Sequence, residues 1–459
     1  MGRKNQQINN MLKILLQTKL LSSLFLFAII LPNSACTVAD IALTTNLIST
    51  KIVREPYLQM GSSDAITIRW RTNIPTDSLI HYGTDSAQLT EVANSVILEK
   101  DHEIRLTGLT AQTQYYYSVG DSTKVMAGGE NYTFKTSPVT GDTAPTRIWV
   151  IGDSGTANDN ARAVYNAYRN NTGAAYTDLL LMLGDNAYHM GRDYEYQKAV
   201  FDMYTELLQQ TPVWSTLGNH DGYSASSANE SGPYYDIFTL PREAEVGGVA
   251  SGTEAYYSFD HGNIHFVVLD SYQTIKSTSG RNTMIRWLET DLQNSSADWT
   301  IAFWHHPPYS KGSHDSDRNS RMTKMRNQVL PIIENYGVDL VLGGHSHAYE
   351  RSKFIDGHYG LSNTFSHDHE VSTSSGRVDE TGAYHKEDIG SSHTGTVYAV
   401  AGSSGKISRR GSLDHSAMFL SLRELGSMVL EIDDLTLNAS FLNSKGEKRD
   451  YFTITKGDN

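Results

Sequence analysis

The chain has 459 residues, of which 39% are hydrophobic and 19% charged, and this length allows two or three domains with buried cores. The formal net charge of −13 argues against a nucleic acid held through its phosphates, and the sequence presents no evident nucleic-acid-binding surface. A small phosphate-bearing substrate is still allowed, because bound metal cations reverse the sign of the local field.

The N-terminus has the pattern of a signal peptide over residues 1–36. Basic residues precede an apolar run at residues 24–31, and small or polar residues follow it up to Cys36. A membrane-spanning helix needs about 20 apolar residues, so a retained anchor helix is the less favoured alternative. Cys36 is the only cysteine, and it offers either lipid attachment or simple cleavage nearby. We therefore expect an exported protein: periplasmic, extracellular or an outer-membrane lipoprotein.

Residues 50–138, which follow a polar linker at 42–49, predict a domain of short strands. Residues 65–70 and 102–106 alternate apolar and polar side chains with the period of a strand, and residues 79–83, 113–119 and 131–135 form further short strands. Several short strands separated by turn residues predict a β-sandwich. The stretch from Leu106 to Val119 resembles a fibronectin type III module.

Residues 146–456, which follow a second linker at 138–146, predict an α/β domain with a partly parallel sheet. Apolar strand runs alternate there with helical stretches such as residues 194–209 and 281–293. Residues 356–395 predict a long polar loop whose histidines are solvated rather than arranged as a third metal site. Residues 426–455 return to strand alternation and are expected to add edge strands to the sheet.

Five apolar runs of this second domain each end in polar side chains that bind metals. The runs are followed in turn by residues 152–155, 184–188, 218–221, 305–309 and 343–347. Ligands collect at the carboxyl ends of strands in open α/β sheets, so we expect these groups to meet in one place. Carboxylates, imidazoles and an amide suit hard or borderline cations, and the single cysteine excludes zinc-finger and iron–sulfur sites. The set is large enough for two metals sharing one carboxylate, the usual arrangement for displacement at phosphorus.

In their order along the chain, the motifs GDSG, GDNAY, GNHD, FWHHPPY and GGHSHAYER resemble those of the metallophosphoesterase superfamily. More narrowly, they are similar to the plant-type purple acid phosphatases, whose second motif carries the tyrosine found here at Tyr188 and whose catalytic domain follows a fibronectin-like domain. The resemblance implies an N-terminal β-sandwich followed by an α/β metallophosphoesterase domain, a mixed-sheet ββ sandwich flanked by helices.

The resemblance also implies a ligand set for two metal ions, with Asp185 as the bridge. A ferric ion would be held by Asp153, Asp185, Tyr188 and His347. A divalent ion (iron, zinc or manganese) would be held by Asp185, Asn219, His305 and His345. His306 occupies the variable position after His305, and the alternative that it faces the substrate is less favoured.

Two further histidines are expected to act on the substrate. His220, oriented by Asp221, or His314 would bind phosphate and protonate the leaving group. The family often has a second histidine next to His314, where this chain has Asp315. The implied reaction is hydrolysis of phosphate monoesters by a metal-bound hydroxide. The alternatives are a phosphodiesterase or nucleotide-cleaving enzyme on the same metals, and a surface binding protein with an inactive phosphoesterase domain.

Overall fold

The computed structural model describes residues 49–457. The predicted signal peptide, Cys36 and most of the first linker lie outside this range. Among the described residues, no helix has the length and apolar character needed to cross a bilayer. The strands form a six-stranded sheet in the N-terminal part and two seven-stranded sheets in the rest of the described chain.

The N-terminal sheet contains six antiparallel-paired strands: β1 (Ile52–Gln59), β2 (Ala65–Gly83), β3 (Glu91–Thr107), β4 (Gln114–Asp121), β5 (Lys124–Ala127) and β6 (Thr133–Lys135). Two of the predicted strands, residues 65–70 and 79–83, are the two halves of the single long strand β2. Register shifts between Arg71 and Ser78 interrupt its pairing with β3. Inward-facing side chains of these strands, among them Trp70 and Tyr117, form a separate apolar core.

The first sheet of the α/β domain has the order β15-β20-β19-β18-β7-β8-β9. Its strands are β7 (Thr146–Ile151), β8 (Leu179–Met182), β9 (Val213–Ser215), β15 (Tyr384–Lys386), β18 (Gly426–Asp433), β19 (Thr436–Asn443) and β20 (Lys448–Lys456). β7, β8 and β9 run parallel, whereas β18 pairs with β7 in the antiparallel direction. The expectation that residues 426–455 add edge strands is wrong for β18 and β19, which lie inside the sheet between β7 and β20. β20 has β15 beside it only along the three residues Tyr384–Lys386.

The second sheet has the order β10-β11-β12-β13-β16-β14-β17. Its strands are β10 (Tyr257–His261), β11 (Ile264–Val268), β12 (Trp299–Trp304), β13 (Leu340–Gly343), β14 (Tyr349–Ser352), β16 (Val397–Ala401) and β17 (Met418–Leu422). β11, β12, β13 and β16 are parallel neighbours. Both sheets are mixed, which agrees with the predicted fold class.

The two seven-stranded sheets share one apolar core, and helices cover the outer faces. Phe303 of β12 belongs to the core that also contains Leu181 of β8, whereas its neighbour Trp304 belongs to the core that contains Trp287 of a covering helix. This alternation is the two-residue period of a strand that is buried on both faces. The helices are α1 (Asp159–Thr172), α2 (Asp193–Tyr196), α3 (Thr205–Leu208), α4 (Pro233–Ile237), α5 (Thr278–Asn294), α6 (Ser320–Gln328) and α7 (Leu330–Asn335).

Two predicted segments differ in detail from the structure. The helix expected at residues 194–209 is divided into α2, a π-helical turn (Gln197–Phe201) and α3. The loop at residues 356–395 is largely irregular, as predicted, but contains β15 and two short 3₁₀ turns, Ser362–Thr364 and His367–His369.

Arginines of the N-terminal sheet bind the segment that follows the second motif. Arg54 Nη2 lies 2.9 Å from Asp193 Oδ1, and Arg71 Nη1 lies 2.6 Å from Asp193 Oδ2. Arg69 donates hydrogen bonds to the carbonyl oxygens of Ile237 (2.8 Å) and Asp236 (2.7 Å). These charge-assisted hydrogen bonds lie at the partly buried boundary between the two domains and connect them in a fixed geometry.

Two of the buried ionic groups in the α/β domain are centred on Asp339 and His265. Asp339, just before β13, accepts hydrogen bonds from Lys386 Nζ (2.7 Å) and Lys456 Nζ (2.8 Å), and all three side chains are 1% exposed. Ion pairs removed from water in this way are costly to break, because the remaining partner keeps an uncompensated buried charge.

The second ionic group is centred on His265 of β11. Its Nδ1 lies 2.7 Å from Asp260 Oδ1 and its Nε2 lies 3.0 Å from Asp291 Oδ2. Burial alone would lower the pKa of His265, but the hydrogen bonds to the two aspartates outweigh it and raise the pKa to about 9.

Candidate metal centre

The structure brings the seven predicted metal ligands to one edge of the two sheets. Asp153, Asp185 and Asn219 follow β7, β8 and β9 in the first sheet. His305 follows β12, and His345 follows β13 in the second sheet. The carboxyl ends of parallel strands from both sheets therefore face one space, which is where the sequence pattern placed them.

Tyr188 stands between the two aspartates. Its hydroxyl oxygen lies 2.9 Å from Asp153 Oδ1 and 2.9 Å from Asp185 Oδ2. His347 Nε2 lies 3.3 Å from the same Asp153 oxygen. Each of the four side chains that the resemblance assigns to the first metal thus contacts at least one other of the four.

His305 lies between the side chains assigned to the second metal. Its Nε2 is 3.4 Å from Asp185 Oδ1 and 3.2 Å from Asn219 Oδ1. Its Nδ1 lies 2.9 Å from the carbonyl oxygen of Leu183, an acceptor that fixes the proton on Nδ1 and leaves Nε2 free to bind a cation. Ligand atoms of Asp153, Asp185 and His305 all lie within 4.8 Å of one another.

Burial and neighbouring charges set the protonation of two predicted ligands, His345 and Tyr188. Burial, together with the nearby His306 and His305, holds the pKa of His345 well below its usual value, which keeps that imidazole neutral. Burial and the carboxylates of Asp153 and Asp185 raise the pKa of Tyr188 well above its usual value. A bound cation would reverse this effect on Tyr188, since it favours the phenolate.

The backbone of three predicted ligands is left-handed. Asp153, Asp185 and His345 have φ of 54°, 51° and 65°. A non-glycine residue in such a conformation costs about 1–3 kcal/mol, and such residues cluster at functional sites. A hydrogen bond between two of the motifs, from His345 N to Asp153 Oδ2 at 2.6 Å, helps to hold this conformation. The fold thus directs these side chains inward at an energetic cost.

Two glycines of the motifs allow close approach. A Cβ on Gly218 would lie 2.0 Å from the backbone nitrogen of Asp185, and a Cβ on Gly344 would lie 2.7 Å from Asp153 Oδ2. Neither neighbour can move without displacing a predicted ligand. Glycine is therefore required at both positions for space.

His220 is held differently from the sequence expectation. Its Nδ1 lies 2.7 Å from the carbonyl oxygen of His189, and its ring meets the Tyr188 ring edge-on with centroids 4.5 Å apart. Its Nε2 lies 3.9 Å from Asp185 Oδ2. The His220 ring thus lies at the candidate metal centre, but it is held by the backbone carbonyl of His189 rather than by Asp221.

Asp221 instead stabilises the loops that carry the ligands. Its carboxylate accepts hydrogen bonds from the Asn186 backbone (3.1 Å), the Gly218 backbone (2.8 Å) and the Tyr196 hydroxyl (2.6 Å). The side chain is completely buried. The expectation that Asp221 orients His220 is therefore wrong, because the hydrogen bonds to its carboxylate come from Asn186, Gly218 and Tyr196.

His314 and His306 both pack on His345. The rings of His314 and His345 are stacked with centroids 3.8 Å apart, and those of His306 and His345 are 4.2 Å apart. His306 Nδ1 lies 3.0 Å from Ser271 Oγ. His306 is buried, and its ligand-capable atoms lie within 4.8 Å of those of His305 and His345. Asp315 pairs with Lys311 at 3.8 Å.

Two residues that sequence reasoning missed also belong to this region. Lys406, on the loop after β16, has its Nζ 3.5 Å from the centroid of the Tyr188 ring. Glu195 in α2 accepts hydrogen bonds from the backbone nitrogens of His189 (2.7 Å), Met190 (3.0 Å) and Arg192 (2.8 Å). Neither residue lies in a recognisable motif, and a basic residue in a glycine- and serine-rich loop was the only available signal for Lys406.

The histidines of the 356–395 loop are not uniformly solvated. His358 is buried and contacts the carbonyl oxygen of Leu361, which differs from the expectation. His393 is half-exposed and lies 3.0 Å from Asp356 Oδ1, with Glu334 nearby. The Glu334 carboxylate already accepts hydrogen bonds from Tyr359, Tyr398 and the Gly357 backbone, so its oxygens are occupied.

Comparisons with known proteins agree with this architecture. Residues 146–349 match the family model of the calcineurin-like phosphoesterases, and residues 53–136 match that of the purple acid phosphatase N-terminal domain. The chain is 29% identical over 283 residues to purple acid phosphatase 15 of Arabidopsis thaliana, which covers 55% of this chain and 50% of that relative. It is 27% identical over 323 residues to acid phosphatase type 7 of Homo sapiens, and this alignment covers 63% of this chain and 68% of that relative.

The alignments cover only part of each relative's own length. The alignments span 50% of purple acid phosphatase 15 and 58% of purple acid phosphatase 23 of Arabidopsis thaliana, so the chain spans about half the length of these curated relatives.

Solved structures share the fold at low identity. Purple acid phosphatase PPD1 from yellow lupin (Lupinus luteus) seeds superposes with a TM-score of 0.67 at 17% identity, covering 88% of this chain and 74% of that one. The structure of PhoD gives a TM-score of 0.59 at 14% identity, covering 88% and 90%. The chain thus contains a calcineurin-like metallophosphoesterase domain preceded by a purple acid phosphatase N-terminal domain.

Proposed function

We propose that the chain is an exported binuclear-metal phosphatase that hydrolyses phosphate monoesters in the manner of an acid phosphatase. The observation that carries the proposal is the position of Tyr188, whose hydroxyl oxygen is 2.9 Å from both Asp153 and Asp185. Two buried carboxylates brought together around one phenol repel each other. This arrangement is therefore unfavourable for the stability of the fold by itself. The arrangement is accounted for by cations that bind all three groups.

The donor set fits two metal ions with different preferences. The oxygen-rich group of Asp153, Asp185 and Tyr188, completed by His347, suits a ferric ion. The group of Asp185, Asn219, His305 and His345 has more nitrogen and suits a divalent iron, zinc or manganese ion. When bound, the metals would neutralise phosphate charge and lower the pKa of coordinated water.

The chain's own residues supply orientation and proton transfer. His305 is held by the Leu183 carbonyl, so its Nε2 faces Asp185 and Asn219. The His220 ring is anchored at Nδ1, and its Nε2 lies 3.9 Å from Asp185 on the side of the centre. In its doubly protonated form, the ring can give the Nε2 proton to a leaving-group oxygen. His314 is half-buried against His345 and is proposed to bind a phosphate oxygen.

Domain limits and location follow the same proposal. We assign residues 1–36 to a signal peptide, 50–138 to the N-terminal domain and 146–456 to the catalytic domain. Export is supported by the basic and apolar pattern of the first residues, and a lipid anchor at Cys36 is one form of it. Mass spectrometry of the mature N-terminus would separate cleavage from lipidation.

The test uses the full mature chain loaded with iron and either zinc or manganese. We expect release of p-nitrophenol from p-nitrophenyl phosphate, with a much lower rate on the bis-ester. Asp185→Asn removes the shared carboxylate and should lower metal content from two ions to one or none, whereas the exposed Asp388→Asn control should retain both. Faster diester cleavage would favour a phosphodiesterase, and metal binding without hydrolysis of either ester would favour a binding protein.

A further inference from the structure

Strand β3 presents three consecutive apolar side chains to solvent. Val96, Ile97 and Leu98 are 81%, 65% and 70% exposed, and we call these three residues the apolar tip. Successive side chains of a strand point to opposite faces of its sheet, so a strand that packs against other elements covers at least one of them. Exposure of all three side chains therefore means that this part of β3 projects from the domain.

A break in the strand pairing produces the projection. Ser95, before the tip, pairs with Ser78 of β2, and Glu99, after the tip, pairs with Thr76. The three residues of the tip thus lie opposite the single residue Asp77, which makes them a bulge. In the part of the chain that the structure describes, β2 is the only strand that pairs with β3, so no strand covers the outer edge of the bulge.

The chain enters the described structure at the same end of the N-terminal domain. Lys51 N donates to Asn73 Oδ1 at 2.8 Å, and Asn73 N donates to the Lys51 carbonyl at 3.1 Å. Thr76, the partner of Glu99, follows Asn73 along β2 at a distance of no more than about 10 Å in extended chain. The entry point of the chain and the apolar tip are therefore neighbours.

The residues that precede this entry point contain the proposed membrane-directed signals. They include the predicted signal peptide at 1–36 and Cys36, where one form of the proposed export places a lipid anchor. A fully extended chain from Cys36 to Lys51 spans at most about 50 Å. An anchor at Cys36 would keep the apolar tip within reach of the bilayer surface, so a lipid bilayer is the occupant that this geometry favours.

A second copy of the chain fits the tip less well. Each partner in a stable protein interface buries about 800 Å². Three aliphatic side chains offer well under that area, and the next residues on both sides, Ser95 and Glu99, are polar. A bilayer needs no matching surface, because its acyl boundary accepts any aliphatic group that reaches it.

We propose that the apolar tip is a membrane-contact site that inserts into the boundary between headgroups and acyl chains of a phospholipid bilayer, beside the anchored N-terminus. The aliphatic side chains leave water there, while Glu99 and Lys100 remain at the level of the headgroups. The inference rests on the proposed export of the chain and goes beyond its phosphatase activity. All predicted metal ligands lie in the α/β domain, so the contact orients the enzyme on the membrane without taking part in hydrolysis.

The experiment attaches the chain from Cys36 onwards to vesicles through its single thiol. Cys36, the only cysteine, is coupled to maleimide-bearing phosphatidylethanolamine in phosphatidylcholine vesicles, so the result does not require natural lipidation. Ile97→Trp places a fluorophore in the tip, and Val139→Trp, at an exposed position of the linker between the domains, is the control. Phospholipids with brominated acyl chains should quench the added emission of Ile97→Trp at least about twofold and that of Val139→Trp by less than about a tenth.

A second substitution tests whether the apolar character of the tip causes insertion. Val96→Glu, added to Ile97→Trp, places a carboxylate in the tip and should return the quenching to the level of the control, because a charge in lipid is costly. Hydrolysis of p-nitrophenyl phosphate should change less than about twofold in every variant. If the unmodified chain hydrolyses no ester, the proposed phosphatase function fails, while the quenching result still decides the membrane contact.

Three results would overturn the membrane contact. The first is quenching of Ile97→Trp that does not exceed the control, or that persists when Val96→Glu is added. The second is a concentration-dependent dimer of the uncoupled chain, measured by light scattering, that Val96→Glu abolishes, since a second copy would then cover the tip. The third is blue-shifted emission of Ile97→Trp in the absence of vesicles, since the chain's own N-terminal segment would then cover it.

Discussion

Glu195 offers a strict test of how the second-motif loop positions His220. Its carboxylate accepts three backbone N–H groups, from His189, Met190 and Arg192, and the carbonyl of His189 in turn lies 2.7 Å from His220 Nδ1. The substitution Glu195→Gln keeps the size of the side chain but removes the charge and one acceptor oxygen. We expect a loss of stability together with a displaced His220.

The magnitude follows from the three hydrogen bonds. The single oxygen of glutamine can keep the contacts to Met190 and Arg192, and its NH₂ group then faces His189 N–H. An unpaired donor costs about 1–3 kcal/mol when buried, and replacing a charged acceptor by a neutral one weakens a bond by about half. Because His189 is exposed and water can partly replace the lost partner, the expected loss in free energy of unfolding is about 2 kcal/mol.

Two measurements are needed, since stability and positioning are separate consequences. Urea unfolding should show the loss, and kcat/KM on p-nitrophenyl phosphate should fall about tenfold while metal content stays at the level of the unmodified chain. Glu206→Gln, the same change at an exposed position in α3, should alter neither quantity. Lower stability with full activity of the folded protein would refute the positioning of His220 by this loop, and unchanged stability would refute the hydrogen-bond estimate.

Three further outcomes are expected from other parts of the structure. Tyr188→Phe should abolish the visible charge-transfer absorption of the iron-loaded chain. Tyr223 lies near the same centre and is 52% exposed, so Tyr223→Phe should leave the absorption unchanged. A persistent band in Tyr188→Phe would exclude a tyrosinate bound to iron. The folded pKa of His265 is about 9, above the usual value of about 6.5, so its stabilisation is complete below pH 6.5 and is lost as pH rises through 9. Urea unfolding should show a pH-dependent loss of about 3 kcal/mol over that interval, which should be absent in His265→Gln. Asp339→Asn should lower the free energy of unfolding by about 3–5 kcal/mol, because two buried lysines lose their shared carboxylate. The exposed control Asp388→Asn should cost less than about 1 kcal/mol. A cost that small for Asp339→Asn would contradict this account.

The fold class and the convergence of the predicted ligands could be read from the sequence because both depend on local patterns. Apolar runs of four to six residues that end in glycine and a polar side chain, as at Asp153 and Asp185, are readable from the sequence without distant contacts. The order of strands was harder. β18 lies beside β7 although about 280 residues separate them, and no local pattern encodes such a pairing.

Hydrogen-bond partners were the least predictable part of the site. Asp221 was expected to face its neighbour His220, but its carboxylate accepts hydrogen bonds from Asn186, Tyr196 and the Gly218 backbone of its own motif. Adjacent residues in a chain seldom point the same way, so proximity in sequence is weak evidence for a side-chain contact. The left-handed φ of Asp153 and His345 was also hidden, because only a small fraction of Asp and His residues adopt that conformation and no local pattern marks which ones do.

The arginine contacts to Asp193 have a consequence for dividing this protein into parts. Asp193 and Glu195 belong to the same short helix, so the side chains that join the two domains and those that hold the His189 loop share one turn of backbone. A catalytic fragment starting at residue 146 would leave Asp193 without Arg54 and Arg71. The boundary that looks like a linker in the sequence is thus a poor place to cut, and the N-terminal domain serves as a fixed part of the active-site scaffold, although it supplies none of the predicted ligands.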